Sequence, residues 1–516
     1  MIRGERMTET VENIGEFAYM FEAKGIQRYI FHSGKLRDVV GASDLVAGLA
    51  RSDTKDEIGK FTAGMSFSRR AGGAFCVHAD TCETLAVLRT KWRFHVMTTL
   101  PGLEFADAIE RGDGPIQAMR ACFKAMGGIR HNGLADALPL GRPVTKVAQL
   151  TGMPVVRTDH DDDLDLVASV QRGNAKGDRV GDNFLAARNG FKFPRRLDDD
   201  DVGDGGDNPA FPFKGEDKRI AVIHADLSGL GQMFRNMGKS YNEAEENLAL
   251  AGEIEAAIAA AVKSVSMIIT VECDEDGVLP ARPILMGGDD ITLIIRADLA
   301  IRYVTALLVA IEWECAPIGL MEGQPALSAC AGVAIVGKGT PFLTAYKLAN
   351  SMCDHAKSAA KGDGLVKVGG RDGYPSAFSF HVYQHTAKER YDTHVAVAEV
   401  DADGAPFSAN PYFVGARIPE NGAQARQLIS IAAALANMES GHNRVREIKS
   451  LLAGNAAQAG SAWSRWQEWA KRRDPQGMKP LTDALGINET ASLPESPTAL
   501  YDAMTLVALN AVEAAA

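Results

Sequence analysis

One pattern occurs twice in this chain and restricts the folds open to it more than any other feature. Each copy is an apolar run ending in an acidic residue, a glycine three residues later, an apolar helix start and, farther on, a Gly-Gly turn. In the second copy the run 221–225 leads to Asp226 and Gly229, and the turn carries Gly287, Gly288, Asp289 and Asp290. In the first, the run 17–21 leads to Glu22 and Gly25, and the turn carries Gly72, Gly73, Ala74 and Phe75. A nearly continuous apolar run suits a strand buried on both faces. One working and one spoiled copy of the same metal-site framework point to an enzyme that handles nucleotides.

Around the second copy the elements follow in a definite order. Residues 218–224 read as a strand, followed by a helix from Leu230 and an Ala-rich helix over 243–265. Residues 266–273 read as a further strand and 274–277 as a turn. Residues 283–296 read as a hairpin with Gly-Gly-Asp-Asp at its tip. Helical spacing covers 297–316, a strand 327–336, and Thr340 with Pro341 opens a helix running to about 361. Strand, helix, hairpin, helix, strand is the order of a ferredoxin-like palm; the first copy fits it less clearly. Farther on, apolar residues recur at helical spacing over 423–438, 445–452, 462–471 and 499–516. The expected class is α+β: a degenerate first palm over 1–110, a connecting region over 111–215, a second, catalytic palm over 216–405 and a helical domain over 406–516. Within the connecting region the acidic stretches 159–163 and 198–207 read as solvated loops.

Composition narrows the function classes. A chain of 516 residues has room for several domains and ample core. Its net charge of −11 argues against a basic nucleic-acid-binding surface over the whole molecule. The seven cysteines form no C-x-x-C pair, which disfavours a zinc ribbon or disulfide framework and fits a reducing cytoplasm. Neither a signal peptide nor an apolar membrane-spanning run is evident, so a cytoplasmic chain without membrane contact is expected.

The chemistry concentrates in the second copy. Asp226 ends a central strand, and Asp289 and Asp290 sit on the hairpin that lies beside it in a palm. Hard divalent ions such as Mg²⁺ or Mn²⁺ take carboxylate and carbonyl oxygens, here Asp226, Asp289, Asp290 and the carbonyl of Leu227. Metals held this way activate a ribose 3′-hydroxyl and stabilise a pyrophosphate leaving group. Gly287 and Gly288 permit a tight turn and close approach to a nucleotide, and Gly229 opens a helix whose N–H groups can meet phosphate. Lys357 and Lys361 lie one turn apart on their helix; Lys357 is the candidate for a triphosphate, a solvated face being the other reading of both. His381 and His385 have the spacing of a helical zinc pair, but their segment alternates like a strand, so zinc is rejected. His224 reads as a core-strand residue.

In these segments the chain resembles the large polymerase-cyclase subunit of type III CRISPR effector complexes, whose first palm is degenerate and whose second bears Gly-Gly-Asp-Asp. Residues 24–31 and 35–45 look like that family's first palm, with Gly41, Ala42 and Ser43 near a bound nucleotide. Residues 150–155 are similar to a segment between the palms that often belongs to a zinc-binding subdomain; the cysteines of such a subdomain are missing, and no zinc is expected. The resemblance covers about 16–400. It implies joining of ATP into cyclic oligoadenylate with release of pyrophosphate, in antiviral defence. It further implies metals on Asp226, Asp289 and Asp290, and a second ATP against the first palm near Gly25, Ser43 and Gly72. Other CRISPR subunits and guide or target RNA are the implied partners, with a stand-alone homodimer as the alternative. The chain begins directly at the first palm, without the family's His-Asp nuclease domain, so DNA cleavage is not expected. Two alternatives stand beside this reading: a mononucleotide or dinucleotide cyclase, and a non-catalytic palm scaffold. Three clustered carboxylates that repel one another argue against the scaffold.

Overall fold

The computed structural model describes residues 17–50, 57–71, 73–129, 145–185, 190–197, 208–230, 233, 244–287, 290–318, 325–362, 364–368, 371–383, 407–438, 441–452, 455–487, 492–494 and 498–508. The acidic stretch 198–207 and His385 lie outside the described residues. The chain divides into two units, one of Met1–Ile30, Leu45–Asn174 and Gly238–Gly252, the other of Phe31–Asp44, Ala175–Met237 and Glu253–Ala516.

In the first unit, β1 (Phe17–Lys24) is followed by α1 (Ile26–Ile30) and α2 (Leu36–Ala47), most of which belongs to the second unit. Then come the hairpin β2 (Ser66–Ala71) and β3 (Ala74–Ala79), α3 (Cys82–Thr99), β4 (Glu104–Arg111) and α4 (Pro115–Ile129). The strands form one antiparallel sheet in the order β2-β3-β1-β4. Side chains alternate across a strand, so β1 feeds two cores. Phe21 stacks on Phe75 at 5.5 Å, and both meet Trp92 of α3 edge-on. Ala18 and Met20 point the other way, to Ala118, Cys122 and Met126 of α4. Burial on both faces explains why β1 is apolar from Phe17 to Phe21. Asp107 of β4 is buried among Tyr19, Arg89 and Arg93, each guanidinium donating twice to its carboxylate. Burial alone would raise the Asp107 pKa, but the hydrogen bonds from Arg93 and Arg89 hold it below its usual value.

His78 of β3 is buried, with Nε2 2.6 Å from the Ser68 hydroxyl, and burial pushes its pKa down to about 4. The unfolded chain takes up this proton near pH 6.5 and the folded chain only near pH 4. His78 therefore leaves stability intact above pH 6.5 and erodes it as the pH falls, by about 1.4 kcal/mol per pH unit down to the folded pKa. Urea midpoints compared at pH 7 and pH 5 are expected to drop, and to drop less in His78→Gln.

The acidic stretch 159–163 is not the solvated loop its composition suggests. It closes a hairpin of β5 (Arg157–Asp159) and β6 (Asp162–Leu164). Asp159 and Asp162 accept from the guanidinium of Arg172, which is only 4% exposed on α5 (Leu166–Gly173). A buried guanidinium needs carboxylate partners, and the stretch supplies them.

The second unit holds α6 (Arg179–Phe184), β7 (Arg219–Ser228), part of α7 (Ala244–Val265), α8 (Met267–Thr270), the hairpin β8 (Ala281–Gly287) and β9 (Asp290–Arg296), α9 (Ala300–Glu314), β10 (Ser328–Gly337) and α10 (Phe342–Gly362). After β11 (Val366–Val368) and β12 (Arg371–Gly373), β13 (Ser376–Val382) and β14 (Tyr412–Val414) complete a six-stranded sheet in the order β14-β13-β10-β7-β9-β8. Only β10 and β13 run parallel, joined by the crossover helix α10. From β7 to β10 the connection is strand, helix, hairpin, helix, strand, with β10-β7-β9-β8 repeating the order β4-β1-β3-β2 of the first unit. His381 lies on β13, in keeping with the strand reading of that segment, and is buried.

Residues 266–273 were expected as a strand and are instead largely helical. Ser266 keeps helical dihedrals after α7, α8 follows, and of its apolar side chains only Ile269 is buried while Met267 and Val271 face solvent. The apolar run has no sheet to pack on, and strand preference without such a surface is weak.

The C-terminal helices are α11 (Ala425–Asn437), α12 (Gly441–Leu452), α13 (Ala456–Arg473), α14 (Pro475–Leu485) and α15 (Ala499–Ala508). The sequence expectation has no helix at α14. Pro475 is the first helical residue, where it is tolerated, Asp474 caps the Gly477 N–H at 2.9 Å, and Gly486 closes the helix at φ 65°. Asp502 of α15 ties this region to the sheet edge, accepting from the Ser408 hydroxyl at 3.0 Å, the Ala409 N–H at 2.8 Å and the Tyr412 hydroxyl. Asp502→Ala strips three donors, two of them buried, of their acceptor and is expected to lower stability by about 3 kcal/mol, read from the denaturant midpoint. Among the described residues, no helix is long and apolar enough to cross a membrane.

Candidate active site

Strand register brings two of the three carboxylates together. β7 and β9 are antiparallel neighbours, and Asp226 faces Asp290 directly, with Gly287 of β8 opposite Asp290 on its far side. Residues so opposed have Cα atoms about 4.5–5.5 Å apart and share a face of the sheet. The third carboxylate, Asp289, and Gly288 lie outside the described residues. Two facing carboxylates repel unless a cation lies between or beside them.

Lys357 of α10 provides such a cation. Its Nζ donates to Asp226 Oδ2, and the two side chains are 18% and 24% exposed. Burial, and then Lys361 one turn on, push the Lys357 pKa down to about 8. α10 reaches this face because β10 is thin beneath it. Gly332, opposite His224 in the register, lies so close to the helix that a Cβ would stand 1.8 Å from the Ala349 carbonyl oxygen. The sequence reading passed over Gly332; its signal was a glycine amid alanines in an otherwise apolar strand. His224, two residues before Asp226, is buried with Nδ1 3.0 Å from the Thr292 hydroxyl and its ring 5.2 Å from that of Tyr346. Burial, and then Lys357, lower its pKa to about 4, so it is a neutral support of the strand.

The other candidates fall as follows. Leu227 continues β7 with its side chain buried. Gly229 follows the strand at φ 93°, and its carbonyl accepts from Met233 N–H at 2.9 Å, opening a helix. Gly25 repeats this in the first unit, at φ 57° and with Tyr29 N–H at 2.9 Å. Ser43 is 2% exposed, and its hydroxyl donates to the Ile284 carbonyl of β8. The neighbouring Asp44 accepts from the Arg179 N–H at 2.6 Å. Gly72 lies outside the described residues.

The structure corrects how the two copies align. Matching Gly-Gly to Gly-Gly puts Ala74 and Phe75 in the places of Asp289 and Asp290. The register instead sets Glu22 opposite Ala74, as Asp226 is opposite Asp290. Ala74 thus corresponds to Asp290 and Gly73 to Asp289, while Phe75 belongs to the aromatic core. The first unit keeps one acidic residue of the pair.

An all-oxygen donor set suits a hard divalent ion, and the Lys357 ammonium on Asp226 marks a cation position, so the residues present fit Mg²⁺ or Mn²⁺. Among the described residues, no group of three or more His, Cys, Asp or Glu is placed to hold a metal; the set needs Asp289.

No family model and no curated protein matches this chain. Solved structures match it over nearly its whole length. The Csm1–Csm4 cassette in complex with cA4 aligns at a TM-score of 0.50 and 13% identity, covering 96% of this chain and 70% of that one. The cassette in complex with cA3 aligns at 0.50 and 13%, covering 98% and 71%. This chain has the fold of Csm1. The Csm1 likeness spans both units, sheets and C-terminal helices alike, as a multi-domain α+β architecture. At 13% identity it is a likeness of fold.

Proposed function

We propose that this chain is a metal-dependent nucleotidyltransferase that joins ATP into cyclic oligoadenylate. The observation that carries the proposal is the Asp226–Asp290 pair on adjacent strands, with the Lys357 ammonium seated on it. The Csm1 fold supports it, since the Csm1–Csm4 cassette is known in complex with cA3 and cA4, and so does the resemblance to the type III CRISPR polymerase-cyclase subunit. In this reading each unit is built on a ferredoxin-like palm, the first degenerate, with the four-part division at about 110, 215 and 405. A Csm4-like subunit is the proposed partner.

Asp226, Asp289, Asp290 and the Leu227 carbonyl would hold Mg²⁺ or Mn²⁺, which polarises phosphoryl oxygens and favours the alkoxide form of a 3′-hydroxyl. Lys357 would take the triphosphate as a point charge, with Gly229, Gly287 and Gly288 giving the backbone room to approach. Gly25, Ser43 and Gly72 remain proposed neighbours of the second ATP. Positioning donor and acceptor is the main task in phosphoryl transfer. The test is product analysis: the protein with each nucleoside triphosphate and Mg²⁺ or Mn²⁺, resolved by mass spectrometry. Cyclic or linear oligoadenylate is expected from ATP. Absence of any product together with absence of metal-dependent ATP binding would leave a scaffold.

A further inference from the structure

We propose that, before nucleotide arrives, the Lys357 ammonium occupies the cation position on Asp226, so that metal and triphosphate enter the site as one coupled event. This rests on the reading of Asp226 and Asp290 as metal-holding carboxylates, and goes beyond it by giving Lys357 a role before metal binds. Lys357 is bonded to Asp226, and neither side chain is solvated freely, at 18% and 24% exposure. Asp226 and Asp290 face each other across two strands, so the pair needs positive charge when no metal is present. A divalent ion on Asp226 would repel an ammonium at hydrogen-bond distance, so the lysine has to leave.

Among the described residues, two other carboxylates border this position: Asp290, which faces Asp226 and belongs to the same metal-holding pair, and Asp354, one turn back on the helix of Lys357. On its own helix, Lys361 one turn on repels it, and Cys353 one turn back is buried in the core against the Cys330 carbonyl. Asp354 shares a contact with Asn350 on the exposed side. From β7, His224 is buried, with Nδ1 turned to the Thr292 hydroxyl. A triphosphate laid along the Asp226 face offers several anionic oxygens within reach of a swung Lys357. Triphosphate therefore favours release of Asp226, and by reciprocity metal favours the lysine conformation that binds triphosphate.

The experiment follows free Mn²⁺ by electron paramagnetic resonance, without nucleotide, in the full chain and in Lys357→Met, Lys357→Arg, Asp226→Asn and the Asp226→Asn/Lys357→Met double variant, with circular dichroism checking the fold of each. Lys357→Met is expected to bind Mn²⁺ about tenfold tighter than the natural chain, the gain from removing a partly buried competing cation. Lys357→Arg keeps the weaker binding, and the double variant shows no gain. A second arm measures ATP binding in EDTA. Asp226→Asn frees the lysine and tightens ATP, and this gain vanishes in the Lys357→Met background. Equal or weaker Mn²⁺ binding by Lys357→Met, with binding still lost in Asp226→Asn, overturns the coupling while leaving the metal site standing. Mn²⁺ binding by none of the proteins overturns both.

Discussion

Asp290→Asn is expected to lower the rate of oligonucleotide synthesis about a thousandfold, the kinetic equivalent of about 4 kcal/mol of lost charge stabilisation. The amide keeps the size of the side chain and its place opposite Asp226, so the fold is retained. Stability should change little, because the Lys357 ammonium already offsets the charge of the facing pair. A large loss of rate with an almost unchanged denaturant midpoint separates a catalytic carboxylate from a structural one. Asp226→Asn should match the loss of rate and lower stability as well, because it leaves Lys357 without its carboxylate partner. A rate for Asp290→Asn within a factor of a few of the natural chain would mean that the pair does not hold the metal.

Gly332→Ala should be the most disruptive single methyl group in the second unit. The added Cβ would lie 1.8 Å from the Ala349 oxygen and 2.6 Å from the Cys353 nitrogen. Both are backbone atoms, so no rotamer relieves the clash and α10 has to move off the sheet. A loss of about 3 kcal/mol or more is expected from equilibrium unfolding. Since Lys357 rides on the same helix, activity should fall with it. Gly337→Ala, at the end of the same strand with nothing within 4 Å of the new Cβ, is the control and should stay within about 0.5 kcal/mol of the natural chain. Equal stabilities for the two would mean that α10 does not rest on β10 as described.

The sequence was most readable where local pattern and tertiary burial agree. The apolar run before Asp226, the runs 281–287 and 290–296 and the residues of β13 all form strands, because their side chains pack into the cores of the sheet. The carboxylate pair was legible because an aspartate at a strand end and another at a hairpin base have few other ways to meet. Register was not legible. Two identical glycines invite alignment, yet which residue faces Glu22 is decided by hydrogen bonding between strands, and it selects Ala74 and buries Phe75. The helical character of 266–273 could not be read from β-branched residues whose surroundings were unknown. The role of the 159–163 carboxylates depended on Arg172, brought close by a short hairpin. Lys357 was singled out on its helix from sequence, but its place on Asp226 was not legible, because that depends on how α10 seats on Gly332.

The parallel crossover has a consequence in time. α10 is tied by short connections to β10 at one end and, through the β11–β12 hairpin, to β13 at the other, and both strands lie inside the sheet. A helix held this way cannot slide or swing as a lid. Whatever departs from Asp226 is four methylenes and an ammonium group, and side-chain rotation takes about picoseconds to nanoseconds. Access to the carboxylates should therefore equilibrate far faster than any turnover. Pre-steady-state traces begun with metal and those begun with nucleotide are expected to superimpose without a lag.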